Sequence, residues 1–346
     1  MKEINISRGG HRRNTSFGIK HSGSALMRAI WALLFVALAS ASAQAQDYPT
    51  RNVMFIVPTG AGAATDLLAR ILAPQLANRL GKPLVVENRP GAGTLTASNA
   101  VAKSAPDGYT ILMGTSTPLA INATLYKHLP YDPAKDFVPL ALIATIPFVL
   151  VVNNDLPVHS VSEFIAYAKA HPGELSYGST GPGTPFHLNA ELFSAMTGIK
   201  MVHVPYKAVV DAQVDLMGGR IQVMFTDFTS SVALIKAGKM RALGVTTKTR
   251  AAAMPDLAPI AELGVPGFNA AAWQMVVAPS ATPRPIVDKL HAALEAIMAL
   301  PQTRDAITRI GLVPADNSSI EELQAFVRSE IVRWGEVVKR SGATVD

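Results

Sequence analysis

The sequence predicts an α/β protein of two domains, each a largely parallel sheet with covering helices. Three observations carry this. The chain has 346 residues, enough for two domains of about 150 residues apiece. From Val53 to Gly114 short apolar runs alternate with helical patterns in the order β-α-β-α-β, the grammar of a parallel sheet. The same grammar starts again after Pro147 and continues to Thr246.

The N-terminus stands apart from this pattern. Basic residues precede an apolar core, Ala29–Ala39, and small residues end at Ala43-Gln44-Ala45. The core is shorter than the roughly 20 residues a membrane span needs, so residues 1–45 read as a secretory signal peptide cleaved after Ala45. Starting the chain at Met27 gives a more compact leader, and mutation of that methionine tests it. The leader holds six of the 31 basic residues but only Glu3 of the 25 acidic ones. The mature chain is therefore close to neutral, and no basic stripe points to nucleic acid. No later apolar run is long enough for a membrane span. Cysteine is absent, which excludes a disulfide framework and thiol chemistry. A leader followed by a neutral body points to the bacterial periplasm.

In the first domain Val53–Val57 reads as a strand that stops at Pro58. Thr59–Ala64 is a small-residue loop, and Thr65, as N-cap, opens a helix with Leu68, Leu72, Leu76 and Leu80 on one face. Pro74 interrupts that helix and Gly81 ends it. A strand at Leu84–Glu87, a turn-rich loop Asn88–Gly93, a helix to Lys103, and a strand at Tyr109–Gly114 follow. Thr115-Ser116-Thr117 lies at the C-terminal edge of that strand, where open α/β sheets bind ligands. Strands at Val138–Ala144 and Phe148–Val152 flank Pro147, the expected crossover. The second domain runs helix Val161–Ala170, strand Leu175–Gly178, loop Ser179–Thr184, and a helix from Pro185 with Thr184 as N-cap. Val202–Val204, Val209–Met217, Ile221–Phe225, Ser230–Ala237 and Arg241–Thr246 alternate strand and helix. Trp273–Ala278 returns to the first domain, and three helices (Pro285–Leu300, Thr303–Ile310, Ile320–Arg340) finish the chain. The boundaries are 46–147 plus 268–346 for domain 1 and 148–267 for domain 2.

Catalysis finds little support. Ser179 and His187 could pair for acyl transfer, but Tyr177 stands where a nucleophile elbow needs glycine. His187 is read instead as a first-turn residue lining a polar cleft or bonding a loop carbonyl. The eight histidines are scattered and form no metal motif, so no metal or cofactor is expected. Asp66 complements a helix start. Asp227, at a strand end, reads equally as a ligand acceptor or a turn residue. The two small-residue loops make the stronger signal. Each joins a strand to a helix N-terminus, and facing domains would bring two positive dipole ends to one cleft. Neither loop contains Arg or Lys, so main-chain N–H groups, hydroxyls and water are the expected recognition groups.

The strings VPTGAGAATDLLAR (57–70), VVENRPGAG (85–93), APDGYTILMGT (105–115), YDPAKDFVPL (131–140), GSTGPGTPFHLNAELF (178–193), VPYK (204–207) and GKMRALGVT (238–246) resemble the substrate-binding proteins of the tripartite tricarboxylate transporters, the TctC or Bug family. The similarity spans nearly all of residues 48–346. It implies a type II periplasmic-binding-protein fold, two α/β domains with a ligand cleft between them. It also implies a non-enzymatic, monomeric protein that captures a di- or tricarboxylate, an amino acid, or an aromatic acid or amide. Delivery would be to TctA/TctB-like membrane subunits; the alternative is an extracytoplasmic sensor presenting its closed form to a receptor kinase. Carried over by position, the ligand contacts are Thr59, Gly60, Ala61, Gly62, Thr65 and Asp66 on one side. On the other they are Ser179, Thr180, Gly183, Thr184 and His187, with Asp227 behind. The first loop departs from the family's PFPPGGATD: Thr59 replaces an aromatic, Gly60 and Ala61 replace prolines, and Ala63 replaces a glycine. Ala208 also stands where glycine is usual. These changes predict a more flexible, more polar first loop.

Overall fold

The computed structural model describes residues 48–91, 94–251 and 254–345. The leader with its cleavage site, the start at Met27 and the Ala92-Gly93 part of the turn-rich loop lie outside the described residues. From Pro49 onward the chain forms one compact unit, built on two sheets.

The first lobe opens with β1 (Val53–Val57), α1 (Ala64–Leu80), β2 (Leu84–Asn88), α2 (Leu95–Ala102) and β3 (Thr110–Thr115). A π-helical turn at Thr117–Ile121 leads into the short α3 (Asn122–Leu125) and the long β4 (Phe137–Ile146). Pro147 alone separates β4 from β5 (Phe148–Val152), where the second lobe begins. That lobe continues as α4 (Val161–Ala170), β6 (Ser176–Ser179), α5 (Pro185–Thr197), β7 (Val202–Pro205), α6 (Val209–Met217), β8 (Val223–Asp227), α7 (Phe228–Lys236) and β9 (Arg241–Val245). The chain then returns through β10 (Ala272–Pro279), α8 (Arg284–Met298), α9 (Pro301–Arg309), β11 (Val313–Pro314) and α10 (Ile320–Ser341).

The sheets have the orders β11-β4-β10-β3-β1-β2 and β7-β6-β8-β5-β9. In the first, β1 runs parallel to both β2 and β3, and β10 inserts antiparallel between β3 and β4. In the second, β6 runs parallel to β7 and β8, and β5 is antiparallel to β8 and β9. Strands covered on both faces need apolar side chains throughout, and all five residues of β5 are buried. The parallel strands of both lobes send their C-terminal ends, and so the N-termini of the following helices, to one edge. This positions the site.

Several boundaries differ from the sequence expectation. The first helix begins at Ala64 with Ala63 as N-cap, not with Thr65. The reason is Asp66, which reaches back to accept the Gly62 N–H at 2.8 Å and closes the turn itself. Helix α7 begins at Phe228, ahead of Ser230, because Asp227 caps it by accepting the Ser230 N–H at 2.9 Å. Helix α1 runs through Pro74 unbroken, with the proline on its exposed side.

The lobes also meet away from the strand crossovers. Helix α10 packs on α5 as well as on β4. On α10 the Glu330 carboxylate gathers the indole N–H groups of Trp273 (2.7 Å) and Trp334 (3.1 Å) and a two-pronged contact from Arg333. Arg333 also donates to the Asn269 carbonyl at 2.8 Å. The network pins α10 to the segment that returns from the second lobe.

Candidate functional site

The strand-to-helix joins of both lobes open onto a cavity of about 650 Å³. From the first lobe it is lined by Thr59 and Gly62–Thr65 after β1, Thr94 before α2, and Thr115–Thr117 after β3. From the second come Thr180 and Thr184–Phe186 after β6, Lys207–Val209 after β7, and Asp227, Thr229 and Ser230 after β8. Ile146, Phe148 and Ala272 close it at the crossovers. Phe148 meets Phe186 edge to face, with centroids 5.0 Å apart, and Asp227, paired with Phe148 across the sheet, borders the same end.

Among the described residues five α-helices therefore start at the cavity, and four of them start without a side-chain cap. The N-caps are Ala63 for α1, Thr94 for α2, Thr184 for α5 and Ala208 for α6. Ala is among the least favoured residues at an N-cap, costing about 0.5–2 kcal/mol against Ser, Thr, Asp or Asn. The helices α4 and α10, by contrast, are capped by Ser160 and Ser319; α8 and α9, like α5, carry proline in the first turn and have no side-chain cap. Uncapped first-turn N–H groups point along the helix axis and form a ready seat for an anion. Thr59 Oγ1 and Ser116 Oγ, both on lining residues, are buried without a hydrogen-bond partner among the described residues. Thr65 is 4% exposed.

Asp66 holds the first loop in shape. It is 2% exposed and accepts from the Gly62 N–H, from Arg70 and from Asn88. Asn88 also donates to the Thr59 carbonyl at 2.9 Å. Burial pushes the Asp66 carboxyl up, but Arg70, the Gly62 N–H and Asn88 together outweigh it, and its pKa lies below the ordinary value.

The second loop is propped from behind. Ser179 is fully buried and hydrogen-bonds His203 Nε2 at 2.6 Å, not His187. Its hydroxyl also accepts the Gly181 N–H at 3.0 Å. His187 bonds an amide, not a loop carbonyl: its Nδ1 accepts the Gly183 N–H at 3.1 Å. The two imidazoles lie 4.2 Å apart between Tyr177 and Glu191, which are themselves hydrogen-bonded. Burial, reinforced by His203, pushes the His187 pKa down to about 4, and burial lowers His203 as well. The Thr184 hydroxyl does not cap its helix; it donates to the Gly181 carbonyl at 2.8 Å and fixes the turn.

Of the residues singled out in the sequence, the structure brings Thr59, Gly62, Thr65, Thr180, Thr184 and Asp227 to the cavity wall. Asp66, Ser179 and His187 lie behind that wall. Gly183 (φ +71°) packs so closely on Leu125 of the first lobe that a Cβ would fall inside the leucine side chain. Gly60 and Ala61 are exposed and outside the lining. Sequence reasoning missed Thr94, Phe148, Phe186, Thr229, Ser230 and, above all, Lys207. The loops bring no cation, but the third join does. Its signal was available: Lys207 follows a strand at the C-terminal edge. Asp227 proves both cap and wall; burial raises its pKa against the opposing pull of its bonds to Ser230. Among the described residues no cluster of His, Asp or Glu has the spacing of a metal site.

Two α/β lobes joined by crossing strands, with a cleft ringed by helix N-termini, define a periplasmic-type solute-binding protein of the type II fold. Comparison with known proteins narrows this. The profile of the tripartite tricarboxylate transporter family receptors, TctC, matches residues 68–343, and the chain belongs to that family. Protein BugT of Bordetella pertussis is 36% identical over 313 residues, covering 90% of this chain and 96% of its own. The solved structure of Rpa4515 of R. palustris with adipate superposes with a TM-score of 0.77 at 39% identity, covering 86% of this chain and 100% of that one. MatC (Rpa3494) from Rhodopseudomonas palustris, solved with bound malate, has a TM-score of 0.74 at 31% identity, over 84% of this chain and 100% of its own.

Proposed function

We propose that this protein captures a small carboxylate-bearing solute in the periplasm and hands it to a tripartite tricarboxylate-type membrane transporter, holding its ligand without transforming it. The observation that carries the reading is the convergence of four uncapped helix N-termini on one cavity. Family membership and the carboxylates held by two solved relatives support it. The mechanism is closure of the lobes. Contacts across the seam already include Thr229 Oγ1 donating to the Ile310 carbonyl at 2.9 Å and the packing of Gly183 on Leu125. A ligand touching both lobes favours the closed form by its differential affinity for it.

A thermal-shift screen of residues 46–346 against carboxylates, amino acids, and aromatic acids and amides tests the reading. A ligand at about 100 times its Kd adds about 2.7 kcal/mol, which moves Tm by a few degrees. Stabilisation by acids and not by their methyl esters is the expected result. Stabilisation by esters and acids alike would remove the anion from the argument.

A further inference from the structure

The cleft is electrically lopsided. Among the described residues its charged lining residues are Lys207 and Asp227. Lys207 follows β7, the edge strand of its sheet, so it stands at the outer end of the cleft. Asp227 ends β8 and pairs directly with Phe148, the first residue after the Pro147 crossover; Phe228 donates to the Pro147 carbonyl. It therefore stands at the inner end, beside Phe148, Phe186 and Ile146.

The Asp227 carboxylate is fixed. Oδ1 accepts the Ser230 N–H and Oδ2 accepts the Ser230 hydroxyl, each at 2.9 Å. Beyond these two bonds the carboxylate draws on the Asp227 and Thr229 backbone N–H groups, all neutral donors, and it still borders the cavity. No Lys or Arg lies within ion-pair distance of it among the described residues, although Lys207 borders the same cavity. Burial raising its pKa agrees with an anion short of compensation. A second carboxylate brought to this end would meet a like charge with no cation between them. A donor brought there would complete the set.

We propose that Asp227 sets the polarity of the ligand: the cleft takes an acid whose inner end carries a hydrogen-bond donor, an amide or an ammonium, in preference to a second carboxylate. The proposal rests on the carboxylate reading above and narrows it. The other carboxylate of the pair, the ligand's own, faces the helix N-termini and Lys207.

The test is calorimetry on the wild-type mature chain and the Asp227→Asn variant. Asn is as good an N-cap as Asp, so the variant keeps α7 and its fold, which circular dichroism checks. The probes are two matched sets: succinate, succinamate and 4-aminobutanoate, then adipate, adipamate and 6-aminohexanoate. In the wild type the amide or amino acid of at least one set is expected to bind about tenfold or more tighter than its diacid. In Asp227→Asn that preference shrinks, with the diacid gaining affinity. Diacids preferred by the wild type, or a ranking untouched by the substitution, overturn the role of Asp227 and leave the carboxylate reading standing. Failure of the wild type to bind any probe, while esters or sugars bind, overturns both.

Discussion

At the scale of the residue, buried polar groups behind the cavity wall matter as much as those on it. Replacing Asp66 with Ala leaves Arg70, Asn88 and the Gly62 N–H without their shared acceptor. We expect a loss of about 2–3 kcal/mol in urea denaturation, together with weaker ligand binding as the first loop loosens. Wild-type stability in that variant would show that the carboxylate does not hold the loop. His187 makes a pH prediction. Its folded pKa of about 4 lies below the ordinary 6.5, so between these values the unfolded chain binds more protons than the folded one. Stability therefore falls as pH drops from about 6.5 toward 4, by on the order of 3 kcal/mol from this group. His187→Asn, which can still accept the Gly183 N–H, should flatten that slope in thermal melts; an unchanged slope assigns it to other groups. The sequence showed these roles only in part: His187 reads there as bonding a loop carbonyl, and the partner is the Gly183 amide. Asp66 reads there as an ordinary first-turn acid, and the partner of Ser179 lies 24 residues away on the neighbouring strand, a distance that only the sheet register closes.

At the scale of the element, strand-loop-helix joins were legible because composition marks them: an apolar run, small residues, then a helical pattern. Both loops could be placed at a sheet edge from that alone. The helix starts were less so, since Thr65 looks like a cap and the cap is Ala63. Nor could spacing show that Gly183 faces Leu125 from the other lobe. Gly183→Ala combines a left-handed φ with a collision against Leu125, and it should hold the lobes apart. The expected outcome is weaker binding and a larger scattering radius in the presence of ligand. Pairing it with Leu125→Ala relieves the collision and restores part of the closure; no rescue would place the defect in the loop alone. On α10, Glu330→Ala strands the Arg333 guanidinium and two indole donors. A loss of about 3–5 kcal/mol is expected, read as a lower urea midpoint.

At the scale of the whole molecule, the two lobes are tied by the Pro147 crossover, by the return through Asn269 to β10, and by α10 against α5. We expect them to unfold together. The experiment is built into the chain: outside the leader its tryptophans are Trp273 and Trp334, both in the first lobe, whereas circular dichroism reports helices of both. Coincident midpoints support one cooperative unit; an earlier dichroism transition would mean that the second lobe melts alone. The α/β class and the order of elements were legible in the sequence because periodicity is local. The joining of six strands into one sheet, with β10 slotted between β3 and β4, was only partly so, because pairing is set by contacts more than a hundred residues apart. The uncapped helix starts carry a further consequence. Main-chain N–H groups survive nearly every point mutation, so the ring of helix N-termini around the cavity is inherited whole by any descendant of this gene. What drift and selection can alter is the replaceable side chains around it, Phe148, Phe186, Lys207 and Asp227. A duplicated copy can thus acquire a new ligand through a handful of substitutions while its scaffold stays untouched.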